Sequence, residues 1–136
     1  SDPKDHARLA LACLDLTTLN DADTEADVAA LARRAQTRFG VPAALCVWPR
    51  LGACARRHAP PGVAVAAVAN FPHGQADGAA AVNEARAAVH AGVDEVDVVL
   101  PWRALMAGDE AAVTAVLRSV REIARWNIYQ ATARAM

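Results

Sequence analysis

Residues 94–101, DEVDVVLP, are the most informative part of the sequence about the fold. From Val96 to Pro101 it is mostly apolar, which is typical of a parallel strand covered on both faces. Asp97 interrupts that run between Val96 and Val98. A carboxylate in such a strand is costly unless another group pairs with it. The sequence therefore predicts a buried parallel strand and raises the question of what Asp97 faces.

Similar apolar runs precede this strand, and amphipathic segments separate them. We predict strands at residues 10–16, 41–49, 63–72 and 93–101. Four strand–helix units with short connections predict a parallel sheet with right-handed crossovers. Two architectures remain open at this point: a flavodoxin-like layered sheet and part of a (β/α)8 barrel. A full barrel takes about 250 residues, and this chain of 136 residues has about half that length.

The segments between the strands carry helix signals. Thr24, followed three residues later by Asp27, forms a weak capping box. The helix after the third strand is expected to bury Val82, Ala85 and Val89 on one face.

Length and composition exclude several classes of protein. With 136 residues, of which 54% are hydrophobic, the chain can form one domain with a real core and is not disordered. No apolar run reaches the roughly 18 residues of a membrane span, and the N-terminus does not resemble a secretory signal. A net charge of -1 with mixed signs gives no case for binding nucleic acid or an anionic membrane.

Cysteine and lysine usage add two further constraints. The three cysteines are odd in number, which favours reduced thiols in a cytoplasmic protein. Their spacing does not resemble a zinc site, and no dinucleotide or Walker-type glycine motif is present. We therefore predict no metal and no cofactor. Lys4 is the only lysine, and the other basic residues are arginines.

The candidate functional residues follow the predicted strands, since sites in parallel α/β folds gather at the carboxyl ends of strands. Asp15 and Asp97 are the most informative. They are either structural carboxylates or a pair of acids that project into one site and transfer protons. Cys46 is more simply a buried core residue. The other candidates are Thr17, Thr18, Asn20, Trp48, Arg50, Asn70, Phe71, His73 and Arg103.

Four segments together resemble one known family, deoxyribose-phosphate aldolase. They are LDLTTLNDADT (14–24), ALCVWPR (44–50), VANFPHG (68–74) and DEVDVVLPWRALMAGDE (94–110). The resemblance runs from about residue 8 to about residue 125. It implies a (β/α)8 barrel and a class I aldolase that cleaves 2-deoxyribose 5-phosphate to glyceraldehyde 3-phosphate and acetaldehyde through a lysine Schiff base.

The resemblance also implies residue roles. Asp97 matches the family's catalytic aspartate of the fourth strand, which takes part in proton relay near the lysines. Asp15 matches an acid near the same centre, and Cys46 matches a cysteine that lines the substrate pocket. The first loop beside the active site is matched by Thr17, Thr18 and Asn20.

The chain departs from the family after the fourth helix. The family's Schiff-base lysine lies on the sixth strand, and the lysine that lowers its pKa lies on the seventh. We therefore expect a half-barrel of about four βα units over residues 1–125 and a divergent tail over residues 126–136, as in a truncated chain. Trp126, Ile128 and Tyr129 could begin a fifth strand.

Three hypotheses follow for function. Asp97 would face lysines that this chain lacks, so the chain alone is expected to be an inactive aldolase half. Oligomerisation could instead build a working site from Asp15, Cys46 and Asp97. The chain could also be a non-catalytic module. Because half a barrel leaves open sheet edges and an uncovered face, we expect self-association, most simply as a symmetric dimer, or pairing with a missing complementary half.

Overall fold

A computed structural model describes residues 2–124 and the backbone of residues 128–132. The helices are α1 Pro3–Ala12, α2 Glu25–Arg34, α3 Gly52–His58, α4 Gly78–His90, α5 Trp102–Met106 and α6 Glu110–Ile123. The strands are β1 Asp15–Thr17, β2 Ala44–Val47, β3 Ala64–Ala69, β4 Glu95–Val99 and β5 Ile128–Thr132. A single turn of 3₁₀ helix, Pro49–Leu51, leads into α3.

The described strands form one parallel sheet in the order β1-β2-β3-β4-β5. Each strand pairs with its neighbour in the sequence, whereas a flavodoxin-like sheet reverses direction partway through its strand order. Of the two architectures that the sequence left open, the barrel-type winding is therefore the observed one. The described sheet does not close, because β1 and β5 are its two edges. The predicted half-barrel is confirmed. Of the residues that could begin a fifth strand, Ile128 and Tyr129 lie in β5, whereas Trp126 lies outside the described residues.

The two faces of the sheet have different surroundings. One face, called here the outer face, packs against α2, α3, α4 and α6 through side chains such as Leu45, Val65 and Val96. The other, called the inner face, presents Ala44, Cys46, Ala66 and Val68, and its only apolar neighbours in the cluster come from strands and loops. All of the packed helices thus lie on one side, as right-handed crossovers between sequential parallel strands require.

The predicted first strand, residues 10–16, is wrong in its first half. Helix α1 extends to Ala12, and β1 begins only at Asp15. The Asp2 carboxylate accepts a hydrogen bond from the Lys4 backbone N–H at 2.9 Å, and Pro3 occupies the first helical position. An N-cap aspartate followed by proline is a strong helix start, and it decided how the ambiguous apolar run folds.

Other helix signals have the expected effect. Thr24 and Asp27 form the predicted capping box, with the Thr24 N–H donating to Asp27 Oδ2 at 2.7 Å. The buried face of α4 differs slightly from the prediction. It is a ridge of Ala81, Ala85 and Ala88, while the two predicted valines are half-buried beside it. Small side chains on this ridge let the helix lie close to the sheet, and the valines fill its margins.

Candidate active site

A cavity of about 180 Å³ opens on the inner face of the sheet. Side chains from β1, β2, β3 and β4 all line it, so the inner face is concave. The lining residues are Asp15, Thr17, Leu19, Cys46, Val68, Phe71, Asp97 and Val99. Of the residues predicted for the site, the structure brings together Asp15, Thr17, Cys46, Phe71 and Asp97 here. The cavity is therefore where chemistry on the sheet would take place.

Asp97 lies at the centre of β4, beside Val68 of β3 in the strand register. Its Oδ2 atom accepts a weak hydrogen bond from the Cys46 thiol at 3.9 Å. Its Oδ1 atom is buried and has no hydrogen-bond partner among the residues that the structure describes. The question raised by the sequence thus has a partial answer. Asp97 faces a thiol and an open cavity, and no arginine or lysine forms an ion pair with it in the described chain.

The Asp97 carboxyl has a raised pKa of about 6. Desolvation by burial is the main cause, and the nearby charges of Asp15 and Glu95 add to it, while the Cys46 hydrogen bond acts in the opposite direction. Burial and like charges both disfavour the ionised carboxylate. Asp97 is consequently able to gain and lose a proton close to neutral pH, which an ordinary aspartate is not.

Glu95 is the third acid of the inner face. Desolvation raises its pKa, and the charges of Asp15 and Asp94 raise it further. It stands two residues before Asp97 on the same strand, so the two side chains share a face. Sequence reasoning did not name Glu95 as a site residue, although this alternation was a sufficient signal.

Cys46 is held as a neutral thiol. Burial raises its pKa to about 12, and the charges of Asp97 and Asp15 contribute in the same direction. Since the thiolate is the reactive form of cysteine, this thiol is a poor nucleophile near neutral pH. Its position lets it pack in the cavity wall and donate to Asp97.

Thr18 and Asn20 are engaged in the loop between β1 and α2 and do not line the cavity. The Thr18 hydroxyl donates to Asp23 Oδ2 at 2.7 Å. The Asn20 backbone N–H donates to the same oxygen at 3.1 Å, and its side-chain amide donates to Asp23 Oδ1 at 3.1 Å. These bonds, that of Thr18 first, lower the pKa of the buried Asp23 carboxyl. Asp23 is the organising residue of this loop, and the sequence analysis did not single it out.

Two residues after β2 fix the same loop from the other side. The Arg50 guanidinium donates to the backbone oxygens of Asp23 at 2.8 Å and Asp21 at 3.0 Å. The Trp48 indole N–H donates to the Asn20 carbonyl at 2.9 Å, and its ring meets Phe71 edge-on at 5.6 Å. The loop and the aromatic rim of the cavity therefore form one connected structure.

The loop NFPHG after β3 is fixed by Asn70. Its side-chain amide donates to the carbonyl oxygens of Gln75 at 2.8 Å and Val99 at 3.0 Å. Asn70 has a φ of 58°, and the Phe71–Pro72 peptide bond is cis. Gly74 packs so tightly against β4 that an added Cβ would lie 2.3 Å from the Leu100 carbonyl oxygen. His73 is exposed, and its backbone oxygen accepts bonds from the side chains of Trp102 and Arg103.

Lys4, the only lysine in the sequence, is not near the cavity that Asp97 lines. It is on α1 and lines a surface groove with Arg38 and Phe39 of the connection between α2 and β2. Because α1 precedes β1 and that connection leads into β2, the groove lies at the end of the sheet where the strands begin. Lys4 does not line the cavity of Asp97.

Within residues 2–124 and 128–132, no group of three or more histidine, cysteine, aspartate or glutamate side chains is arranged to hold a metal ion. No helix in this part of the chain is long and apolar enough to cross a membrane. Asp15, Glu95 and Asp97 thus influence one another as neighbouring charges and are not arranged as ligands of a common ion.

Two solved structures share the fold of this chain and are also more than 25% identical to it in sequence. A protein from Coccidioides immitis that is assigned as a deoxyribose-phosphate aldolase is 26% identical, with a TM-score of 0.80, over 91% of this chain and 48% of that protein. The deoxyribose phosphate aldolase of Aeropyrum pernix, described as a tetramer, is 27% identical, with a TM-score of 0.70, over 96% of this chain and 53% of that protein. This chain thus spans about half the length of the structures that it matches.

The family comparison covers most of the sequence. The model of the DeoC/LacD family aldolases matches residues 9–128, a range that contains every element lining the cavity. The resemblance inferred from four sequence segments is therefore confirmed. The chain belongs to the DeoC/LacD family of aldolases.

Proposed function

We propose that this chain supplies the acidic half of a deoxyribose-phosphate aldolase site, with Asp97 as its proton-transfer group. The observation that carries the proposal is the shared cavity of Asp15, Cys46 and Asp97, in which one buried Asp97 oxygen has no partner in the described chain. The names of the relatives support 2-deoxyribose 5-phosphate as the substrate, cleaved to glyceraldehyde 3-phosphate and acetaldehyde.

The residue roles follow from contacts and charge. Asp97, with a pKa of about 6, accepts and returns the proton that moves during cleavage of the carbon–carbon bond. Burial is the main reason that the pKa of Asp97 is high, and the charge of Asp15 raises it further. Thr17 and Cys46 form the wall against which the substrate lies. Thr18 and Asn20 position the loop beside that wall through their bonds to Asp23.

The residues of the cavity do not include an amine that could form a Schiff base. Schiff-base cleavage begins when a neutral, activated amine attacks a carbonyl carbon. Lys4 is the only lysine, and it lies on α1 at the opposite end of the sheet. Arginine stays protonated and cannot replace it, and the Cys46 thiol, with a pKa of about 12, is not ionised. We therefore propose that the 136-residue chain alone does not turn over the substrate.

The experiment is an assay of acetaldehyde release from 2-deoxyribose 5-phosphate, paired with borohydride treatment of the protein in acetaldehyde and measurement of its intact mass. No turnover and no reduced adduct are expected. Turnover that disappears in Asp97→Asn would instead support the hypothesis of a working site. Turnover that survives this substitution would contradict any role for Asp97.

A second candidate is a half-barrel module whose purpose is assembly. The observation that favours it is the uncovered concave face, with Leu19, Val68 and Phe71 beside the acids. A second copy is the simplest partner, since a dimer with a two-fold axis closes on itself. Two copies meeting face to face would also bring their Asp15, Glu95 and Asp97 side chains together, and like charges repel.

The acidic charge of the inner face gives a way to distinguish the two possible partners, a second copy of the chain and a complementary half. Self-association should strengthen as the pH falls toward 6, where Asp97 becomes protonated. A complementary half with basic groups should bind best above that pH. Light scattering at pH 5.5 and pH 8, with and without candidate partners, distinguishes them. A monomer at both pH values that captures no partner would contradict the assembly function.

We also propose that the protein works in the cytoplasm. Cys13, Cys46 and Cys54 are all free thiols, and proteins of oxidising compartments usually pair their cysteines. Localisation of the tagged protein tests this proposal, and recovery from a secreted fraction would contradict it.

A further inference from the structure

A second concave site lies away from the acidic cavity. Helix α1 contributes Lys4, Ala7, Arg8 and Leu11, and the connection between α2 and β2 contributes Arg38 and Phe39. Together these six residues are called the basic groove. Its volume of about 510 Å³ lies within the roughly 300–1,000 Å³ typical of small-molecule sites. The aldolase role proposed for the inner face does not use it.

The helical side of the basic groove follows from spacing. Residues 7 and 8 follow residue 4 by three and four positions, and residue 11 follows them by four and three, so all of them share one face of α1. None of the α1 residues is buried, so this face is not used to pack the helix against the sheet. The two basic residues stand above Leu11, whose side chain reaches to within 3.9 Å of the position that a Cβ on Gly40 would take.

The other side is a tight turn, TRFG, residues 37–40. Thr37 and Gly40 exchange backbone hydrogen bonds at 3.2 and 3.3 Å, and the Thr37 hydroxyl donates to the Gly40 carbonyl at 2.7 Å. Gly40 has a φ of 124°, a conformation that L-residues rarely adopt. The turn fixes Arg38 and Phe39 at its tip, where the guanidinium carbon lies 4.5 Å from the centre of the aromatic ring.

The charges in the groove are only weakly compensated. Asp5 pairs with Arg8 at 3.5 Å, but both side chains are more than half exposed, and such pairs contribute little. The Asp2 carboxylate caps α1. No acidic residue is among the six that form the groove. Arg38 stacked on an aromatic ring keeps its planar fork of donors free for an anion.

We propose that the basic groove binds a small organic phosphate, with Lys4, Arg8 and Arg38 holding the phosphate and Phe39 and Leu11 contacting an apolar body. The two kinds of contact are adjacent, since the Arg38 guanidinium and the Phe39 ring touch each other. The groove lies where the strands begin, so a ligand there would act at a distance from the inner face.

Phenyl phosphate is a suitable probe because it combines a phosphate with an aromatic ring. Calorimetric titration at pH 7.5 and low salt should give a dissociation constant on the order of 0.1 mM. Inorganic phosphate lacks the ring and phenol lacks the charge, so each should bind at least about tenfold more weakly. Raising the salt concentration should weaken the binding of phenyl phosphate.

Variants assign the binding to the groove. Lys4→Gln and Arg38→Gln should each weaken phenyl phosphate binding about tenfold or more. Arg118→Gln on α6, also an exposed arginine, is the matched control and should change nothing. All three positions are on the surface, and far-UV circular dichroism checks that the variants stay folded. Two results would overturn the proposal. One is no binding of phenyl phosphate up to 10 mM, about a hundredfold above the expected dissociation constant. The other is an affinity in Lys4→Gln and Arg38→Gln equal to that of the unsubstituted protein.

Discussion

Residues that alternate along the same strands form the outer and inner faces of the sheet, yet helices cover the outer face and an open cavity lies on the inner face. On the outer face, Leu45, Val65 and Val96 are fully buried beneath helices of the same chain. On the inner face, Cys46 and Val68 line an open cavity together with the carboxyls of Asp15 and Asp97, and Glu95 adds a third acid nearby. The outer face holds the larger cluster of buried apolar side chains, whereas the inner face holds a buried carboxyl oxygen, Asp97 Oδ1, that has no hydrogen-bond partner among the described residues.

The largest expected difference between the faces is in core packing. Val65 and Val68 lie on the same strand, one on each face, and both are buried. Val65→Ala should lower the free energy of unfolding by about 2–3 kcal/mol, since helices confine the space that it leaves. Val68→Ala should cost about 1 kcal/mol, because water reaches the inner cavity and can fill part of that space. Chemical denaturation of both variants measures the difference.

Equal losses of stability in Val65→Ala and Val68→Ala would contradict a difference in packing between the two faces. They would mean that the inner face is as tightly packed in solution as the outer face, for example because another chain covers it. Repeating the denaturation across a range of protein concentrations distinguishes these cases, since only an assembled inner face makes stability depend on concentration.

Removing the charge of Asp97 should stabilise the protein. The folded pKa of about 6 lies above the usual value of 3.8, so the folded state holds the proton more tightly than the unfolded state does. Stability should therefore fall as the pH rises from about 4 through 6. Asp97→Asn should raise the free energy of unfolding by about 1–2 kcal/mol above pH 6.5, a figure discounted for partial solvation, and should have little effect below pH 4.

Glu122→Gln on the exposed face of α6 is the control for this experiment. It removes one carboxylate without touching either face of the sheet, and the pH dependence of stability should stay unchanged. A loss of stability in Asp97→Asn at pH 8 would indicate that a positive group pairs with Asp97, contrary to the open inner face described above.

The hydrogen bond between Thr18 and Asp23, in the loop between β1 and α2, should make a smaller contribution to stability. Thr18→Val keeps the shape of the side chain and removes the hydrogen bond to Asp23, at a cost of about 1 kcal/mol at pH 7. This bond lowers the Asp23 pKa, so its contribution is present above pH 3.8 and is lost as the pH falls further. Thermal melts at pH 7 measure it. Thr114→Val, exposed on α6, is the matched control, and an equal effect there would contradict the account.

The last prediction compares how fast the three cysteine thiols react with an alkylating reagent. Cys54 is buried on the outer face and Cys46 on the inner face, while Cys13 is exposed. With a pKa of about 12, on the order of one ten-thousandth of Cys46 is thiolate at pH 8. Iodoacetamide should therefore label Cys13 first in the folded protein. Mass spectrometry of peptides identifies the labelled site, and equally fast labelling of Cys46 would contradict a neutral thiol beside Asp97.

The winding of the sheet and the central acids could be predicted from sequence because both depend on local patterns. Continuous apolar strands and short connections define a parallel sheet, and an aspartate inside such a strand must face a site or a partner. The contacts of Thr18 and Asn20 could not be predicted, since they depend on how the following loop folds back on Asp23. Residues 10–12 were misassigned because an apolar run of that length suits a strand or a helix equally.

A carbon-13 NMR titration of the Asp97 carboxyl in the folded chain is the most direct test of whether the acids of the inner face lack a basic partner. The titration should give a pKa of about 6, and this pKa should fall when Asp15→Asn removes a neighbouring charge. A pKa at or below the usual 3.8 would show that a cation already pairs with Asp97, and the claim that this chain holds the acids of an aldolase site without their amine would be contradicted.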